Sequence, residues 1–202
     1  NKTALRQFCL MVGKIMKKLK IDKKKLRKLS KTKNPFMSLV RSIIFQQLAT
    51  KAATSIYNRF IELFENGKPT PERILKLSST KFKKAGISGQ KMSYLQDLSR
   101  KFLDGTINPK KFNKMSDEEI SRHLIQVKGI GQWTADMFLI FALNRPNVLP
   151  VGDLGVELGF QKAFNLKSVP SERTMRRLAK PHEGEYTTLA LYLWFVKDSR
   201  SN

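Results

Sequence analysis

Apolar residues recur at helical spacing along nearly the whole chain. Leu5, Phe8, Val12, Ile15 and Leu19 form one amphipathic stripe. Asn34-Pro35 breaks it. Phe36, Leu39, Val40, Ile43 and Phe45 to Leu48 form the next stripe, which runs on into Ala53, Ile56, Phe60 and Leu63. This predicts two packed helices with a joint near Ala49-Thr50. Asn66-Gly67 closes the second, and Thr70-Pro71 opens another with an N-cap and a proline at the first helical position. Gly86 and Gly89 flank a turn before a helix packed through Leu95, Leu98 and Phe102. Ser116 with Glu119 is a capping box ahead of Ile120, Leu124 and Val127. Gly129-Ile130-Gly131 stops that helix and lets WTADMFLIFAL start at once; being apolar nearly all round, it is expected to be buried. Asn144-Arg145-Pro146 ends it, and Val148 to Val151 is extended between prolines. Leu154 to Phe164 follows as a helix with Asp153 at its N-cap. Ser171 caps ERTMRRLAK, Pro181 breaks it, and Tyr186 to Val196 is the last helix. No segment reads as a strand. The pattern predicts an all-α fold of roughly ten mostly short helices.

Composition narrows the partners. The chain has 202 residues, enough for one large domain or two small lobes. No apolar run is long enough to span a bilayer, so no membrane partner is expected. The start NKTALRQFCL lacks an apolar block with a cleavage site, and no secretory leader is expected. Cys9 is the single cysteine, which excludes an internal disulfide and a four-cysteine iron–sulfur cluster. Two histidines, His123 and His182, cannot build an ordinary zinc site. The formal charge of +23, from 39 basic and 16 acidic residues, points to a polyanion, because cationic side chains release nucleic-acid counterions on binding. A lysine-rich surface with no such partner is the plainer reading. Up to Lys33 there are thirteen basic residues and one acid, Asp22. That tract reads equally as a solvated helix face, a DNA contact or a nuclear-import signal. The expected compartment is the nucleus for a eukaryotic source and the cytoplasm otherwise.

Three features can carry chemistry. In VKGIGQW, two glycines allow a tight turn, and the N–H groups of Gly129, Gly131 and Gln132 would point out at the start of a helix. Such a turn grips a phosphate and reads no base sequence; it is also an ordinary helix connection. Asp153 is both a normal N-cap and a carboxylate kept ionised by a helix N-terminus, suited to a sugar becoming positive at C1′. Asp136 is a rival carboxylate, but inside an apolar helix it reads as paired or edge-exposed. Trp133 adjoins the turn and is the aromatic best placed to stack on an everted, cationic base. Phe138, Phe141, Phe160, Tyr186, Tyr192 and Trp194 read mostly as core, though a few bordering a pocket could also stack on a base; the unusual amides Gln46 and Gln47 could meet a base edge or the opposite strand, with a capping role at the joint the plainer reading. G-x-S-x-G, P-loop, dinucleotide-binding and H-E-x-x-H signatures are absent.

IIFQQLATKAATSIYNRF, AGISGQKMSYL, LIQVKGIGQWTADMFLIFAL and VLPVGDLGVELGF, in that order, resemble the helix-hairpin-helix DNA glycosylase superfamily, specifically its DNA-3-methyladenine glycosylase II branch. The resemblance covers about Pro35 to Trp194. It implies two all-helical lobes, residues 35–145 and residues 1–34 with 146–202, and a DNA-binding cleft between them. It makes Asp153 the catalytic aspartate. Trp133, with Phe138 and Gln47, would border the base pocket. Trp133 stands where bifunctional relatives carry a Schiff-base lysine, which implies a monofunctional enzyme. Lys128, Gly129, Ile130, Gly131, Gln132 and Thr134 would meet DNA at the hairpin. Ile87, Ser88, Gly89 and Lys91 would meet it at the loop resembling the intercalating wedge, although Gly89 offers no bulk; Ile87 or a residue near Ala49 then has to fill the gap. No cofactor is implied for catalysis. A structural Na+ or K+ on the carbonyls of Ile125, Val127 and Gly129 is implied at the hairpin. The motif before the last helix departs from the family, with four extra residues and Thr187 in place of arginine.

The expected function is therefore hydrolysis of the N-glycosidic bond of alkylated purines of the 3-methyladenine and 7-methylguanine type, flipped out of duplex DNA. The expected partner is duplex DNA with damaged or abasic sites, bound by a monomer. A non-catalytic helix-hairpin-helix damage sensor and a glycosylase/lyase for oxidised bases are the alternatives.

Overall fold

The computed structural model describes residues 31–199. The expected N-terminal helix and most of the basic tract lie outside these residues. Ten α-helices and no strand are found among the described residues, as the helical periodicity predicts. The chain divides into two compact units at Phe138/Leu139.

The first unit begins with α1, Pro35–Phe45. Asn34 caps it by accepting the Met37 N–H, and Pro35 fills the first turn. Its face of Phe36, Leu39, Val40, Ile43 and Ile44 is buried. α2 (Thr50–Glu62), α3 (Pro71–Leu75), α4 (Ser79–Ala85) and α5 (Gly89–Leu103) follow. α1 packs on α2 and α5, and α3 packs along α5. α6 (Asp117–Leu124) opens on the expected capping box: Ser116 Oγ takes the Glu119 N–H, and Glu119 returns a carboxylate to the Ser116 N–H. α7 (Gln132–Met137) comes after the glycine hairpin.

The segment WTADMFLIFAL does not stay α-helical. At Phe138–Ala142 it widens into a π-turn. Phe138 still packs in the first unit, edge-on to Phe112. Leu139 starts the second, and the Arg145 N–H bonds back to Leu139 O, closing this stretch on itself. The change of unit thus falls within the apolar helix, earlier than the 145/146 boundary expected at its proline stop.

The second unit holds α8 (Leu154–Ala163), α9 (Glu172–Ala179) and α10 (Tyr186–Asp198). Val156, Phe160, Met175, Ala179, Leu189, Ala190, Tyr192 and Leu193 form its core. α8 lies very close to α10, because a Cβ at Gly159 would sit 2.4 Å from Leu193 O. Thr187, the departure from the family motif, has a structural task. Its hydroxyl donates to Arg145 O at 2.6 Å and accepts the Val148 N–H, while its own N–H bonds Pro146 O. One short side chain therefore ties α10 to the segment leading to Asp153.

Candidate active site and glycine hairpin

Asp153 is held at the end of a short turn, where its N–H bonds Pro150 O. It is the N-cap of α8, as expected, with Oδ1 accepting the Val156 N–H at 2.8 Å. A second bond falls on the same oxygen: Trp194 Nε1–H donates to it at 2.6 Å. The indole stacks on Phe141, with ring centroids 5.8 Å apart and planes 23° from parallel. Gly155 makes this approach possible, since a Cβ there would stand 2.7 Å from Trp194 Cδ1 and 3.0 Å from Asp153 Oδ1. Two donors fix the orientation of this half-buried carboxylate at a helix N-terminus. Such a group stabilises positive charge without reorganising. Trp194 is missed by sequence reasoning, which ranks it with the core aromatics. Only the G-x-x-x-G spacing of Gly155 and Gly159 hints that another element comes close.

The hairpin in the first unit is formed as expected. Gly129 adopts φ +80°. A Cβ there would fall 2.1 Å from the Tyr94 ring, so both the turn and its packing require glycine. Gly129, Gly131 and Gln132 are exposed. Ile130 is buried and anchors the tip. Lys128 is exposed, and its backbone N–H is taken by Asp97 Oδ2 at 2.9 Å. Gln132 Nε2 donates to Asp136 Oδ1 at 2.7 Å, so Asp136 is paired and buried, leaving Asp153 as the better chemical candidate.

A cavity of about 560 Å³ opens beside this hairpin within the first unit. Trp133, Gln46, Gln47, Tyr94 and Gly129 are among its walls. Trp133 is 49% exposed. Gln47 stands at the rim in a left-handed conformation, φ +57°. Gln46 uses one N–H of its amide on the hairpin, Nε2 donating to Gly129 O at 2.7 Å.

Several expected contacts move. Phe138 is 3% exposed, packed on Phe112, and does not line this cavity. Ile87 cannot be a wedge, being 2% exposed; its N–H bonds Phe82 O where α4 ends, which turns the side chain inward. Ser88 is exposed and spends its hydroxyl capping α5 through the Lys91 N–H. Gly89 is exposed with open space around it. The Lys91 ammonium turns inward to Ile44 O (2.7 Å) and Gln46 O (2.8 Å), capping α1; burial pushes its pKa down. Thr134 is buried on the cavity wall rather than on an outer surface. Of the carbonyls expected to hold a cation, Val127 O accepts the Ile130 N–H and Gly129 O accepts Gln46 Nε2, each keeping a second lone pair.

Residues 40–183 match the HhH-GPD superfamily of base excision DNA repair proteins, and the chain belongs to this superfamily. It is 35% identical over 164 residues to DNA-3-methyladenine glycosylase 1 of Schizosaccharomyces pombe, covering 80% of this chain and 72% of the relative. Among solved structures it resembles the S. pombe 3-methyladenine DNA glycosylase Mag1 in complex with abasic DNA, at 34% identity and a TM-score of 0.71, over 85% of this chain and 88% of that one. It also resembles a DNA-3-methyladenine glycosidase from Bacillus halodurans, at 32% identity and a TM-score of 0.78, over 84% and 78% of the two chains.

Proposed function

We propose that this chain removes alkylated purines from duplex DNA by hydrolysing their N-glycosidic bonds. That it is a DNA N-glycosylase of base excision repair follows from its family and its relatives. The substrate range and the residue roles are the proposal. The observation that carries them is the Asp153 carboxylate, fixed at the α8 N-terminus by the Val156 N–H and the Trp194 indole.

A methylated purine such as 3-methyladenine or 7-methylguanine carries positive charge and leaves without a dedicated general acid. The enzyme then needs an anion beside the sugar as it becomes oxocarbenium-like, and a base to orient or deprotonate water. Asp153 serves both needs. Unstacking a damaged base costs a few kcal/mol, least where pairing is already weak. Trp133 and Gln47 border the cavity proposed to receive the base. With Ile87 buried, the gap in the stack is filled from the α1–α2 turn, where Leu48 is 39% exposed just after the left-handed Gln47. The hairpin amides hold one phosphate and the chain acts as a monomer. The relative crystallised with abasic DNA supports duplex DNA as the partner.

Methylated duplex incubated with the protein and then treated with alkali should break at purines. Breaks no more frequent than in the untreated control, from a protein that still binds the duplex, would favour a non-catalytic sensor. Borohydride should trap no covalent adduct, since Trp133 offers no amine; a trapped adduct would indicate a lyase.

A further inference from the structure

The hairpin is held more completely than a turn between two helices requires. Two of its peptide groups are bonded at both ends. In the peptide joining Val127 and Lys128, the N–H goes to Asp97 Oδ2 at 2.9 Å and the carbonyl accepts the Ile130 N–H at 3.0 Å. In the peptide joining Gly129 and Ile130, the carbonyl accepts Gln46 Nε2 at 2.7 Å and the N–H is the donor just named. The peptide between them, Lys128 C=O with Gly129 N–H, has no protein partner among the described residues. It can turn only if its neighbours let go.

The side chains that hold these neighbours are themselves fixed. Lys91, Tyr94 and Asp97 lie three residues apart on α5. Lys91 pins the backbone of Gln46 through Gln46 O. The Tyr94 ring fills the space beneath Gly129, and its hydroxyl accepts from Gln90 Nε2 at 2.6 Å. Asp97 is the unexpected member. An anion beside a phosphate site opposes binding electrostatically, so its presence needs a geometric reason.

We propose that Gln46 and Asp97 are positioning residues for the hairpin, which lock the peptide groups on either side so that the Gly129 N–H is presented, already oriented, to a DNA phosphate. This rests on the reading of the hairpin as a phosphate-binding turn. Preorganisation of this kind removes the cost of ordering the turn during binding. It contributes to affinity and much less to the chemical step.

The test compares Gln46→Met, Asp97→Ala, Asp97→Asn and Gly129→Ala, each with wild-type helicity by circular dichroism. Binding of an abasic-site duplex is followed by fluorescence anisotropy, and excision by single-turnover rate at saturating enzyme. Gln46→Met keeps the side-chain length without the donor, and should weaken binding roughly two- to twelve-fold, the range for one lost hydrogen bond. Its single-turnover rate should change by less than about three-fold. Asp97→Ala should also weaken binding, although deleting an anion favours DNA on charge alone. Asp97→Asn keeps an acceptor oxygen and should recover most of the affinity. An Asp97→Ala protein that binds as tightly as wild type, or tighter, overturns the proposal; so does a Gln46→Met protein that loses rate and affinity equally. Gly129→Ala separates the two levels. If it loses affinity while Gln46→Met and Asp97→Ala do not, the hairpin reading stands and the positioning role falls. If it binds like wild type, the hairpin reading itself falls.

Discussion

Replacing Trp194 by phenylalanine isolates the indole's part in the chemistry. The substitution deletes the Nε1–H that donates to Asp153 Oδ1 at 2.6 Å, and leaves a ring that can still stack on Phe141. The Val156 N–H remains on the same oxygen, so the carboxylate stays at the helix end with one donor fewer. A hydrogen bond to a charged group is worth about 1.5–3 kcal/mol. At about 1.4 kcal/mol per decade, a loss felt wholly in the transition state slows excision roughly ten- to 150-fold. The freed carboxylate can rotate and take water as a replacement donor, which pulls the expectation toward the lower end, about ten- to thirty-fold. The assay is single-turnover release of 7-methylguanine from methylated duplex at saturating enzyme, with abasic-duplex affinity measured in parallel. Affinity should change by less than about three-fold, because the indole donates to Asp153 and is assigned no contact with DNA. A Trp194→Phe protein that excises within two-fold of wild type would refute the claim that the indole orients the carboxylate.

Gly159→Ala places a Cβ 2.4 Å from Leu193 O, so α8 must move off α10. Overpacking of this kind costs roughly 1–3 kcal/mol. At about 2–4 °C per kcal/mol, thermal unfolding should shift down by several degrees, and an unchanged Tm would contradict the close helix contact. Lys91→Met should destabilise the first unit by removing the cap on Ile44 O and Gln46 O. Burial lowers the Lys91 pKa below 10.5, so between the lowered value and 10.5 the folded chain binds fewer protons than the unfolded one. Stability from this group therefore rises with pH across that window. The gap between wild type and Lys91→Met in denaturant midpoint should widen accordingly from neutral pH toward pH 10.5; a gap that stays constant would place the ammonium in solvent, and one that narrows would mean that its pKa is raised.

Elements whose cause is local were legible in the sequence. The capping box at Ser116, the N-caps at Thr70 and Asp153, and the glycine turn all depend on residues within a few positions of each other. What stayed hidden depends on long-range pairing. Asp153 and Trp194 are far apart in sequence, and no periodicity links them; only folding α10 onto the glycine face of α8 does so. Gln46 looks like a free amide until its partner, the Gly129 carbonyl, is in place. Ile87 and Lys91 look like surface residues because their loop is polar, yet the α4 terminus turns one inward and the α1 terminus draws in the other. The apolar run after Trp133 gives no sign of where a π-turn interrupts it, since every residue there favours burial in either geometry.

The central claim is that one negative charge at position 153 performs the reaction. Asp153→Asn keeps the shape and an acceptor for both the Val156 N–H and the Trp194 indole, and removes only the charge. Methylated duplex incubated with this variant should lose its alkali-labile breaks by a factor of a hundred or more, on the order of one missing charge-stabilising group, while abasic duplex binds as it does to wild type. Excision by Asp153→Asn at a rate near wild type would contradict the account.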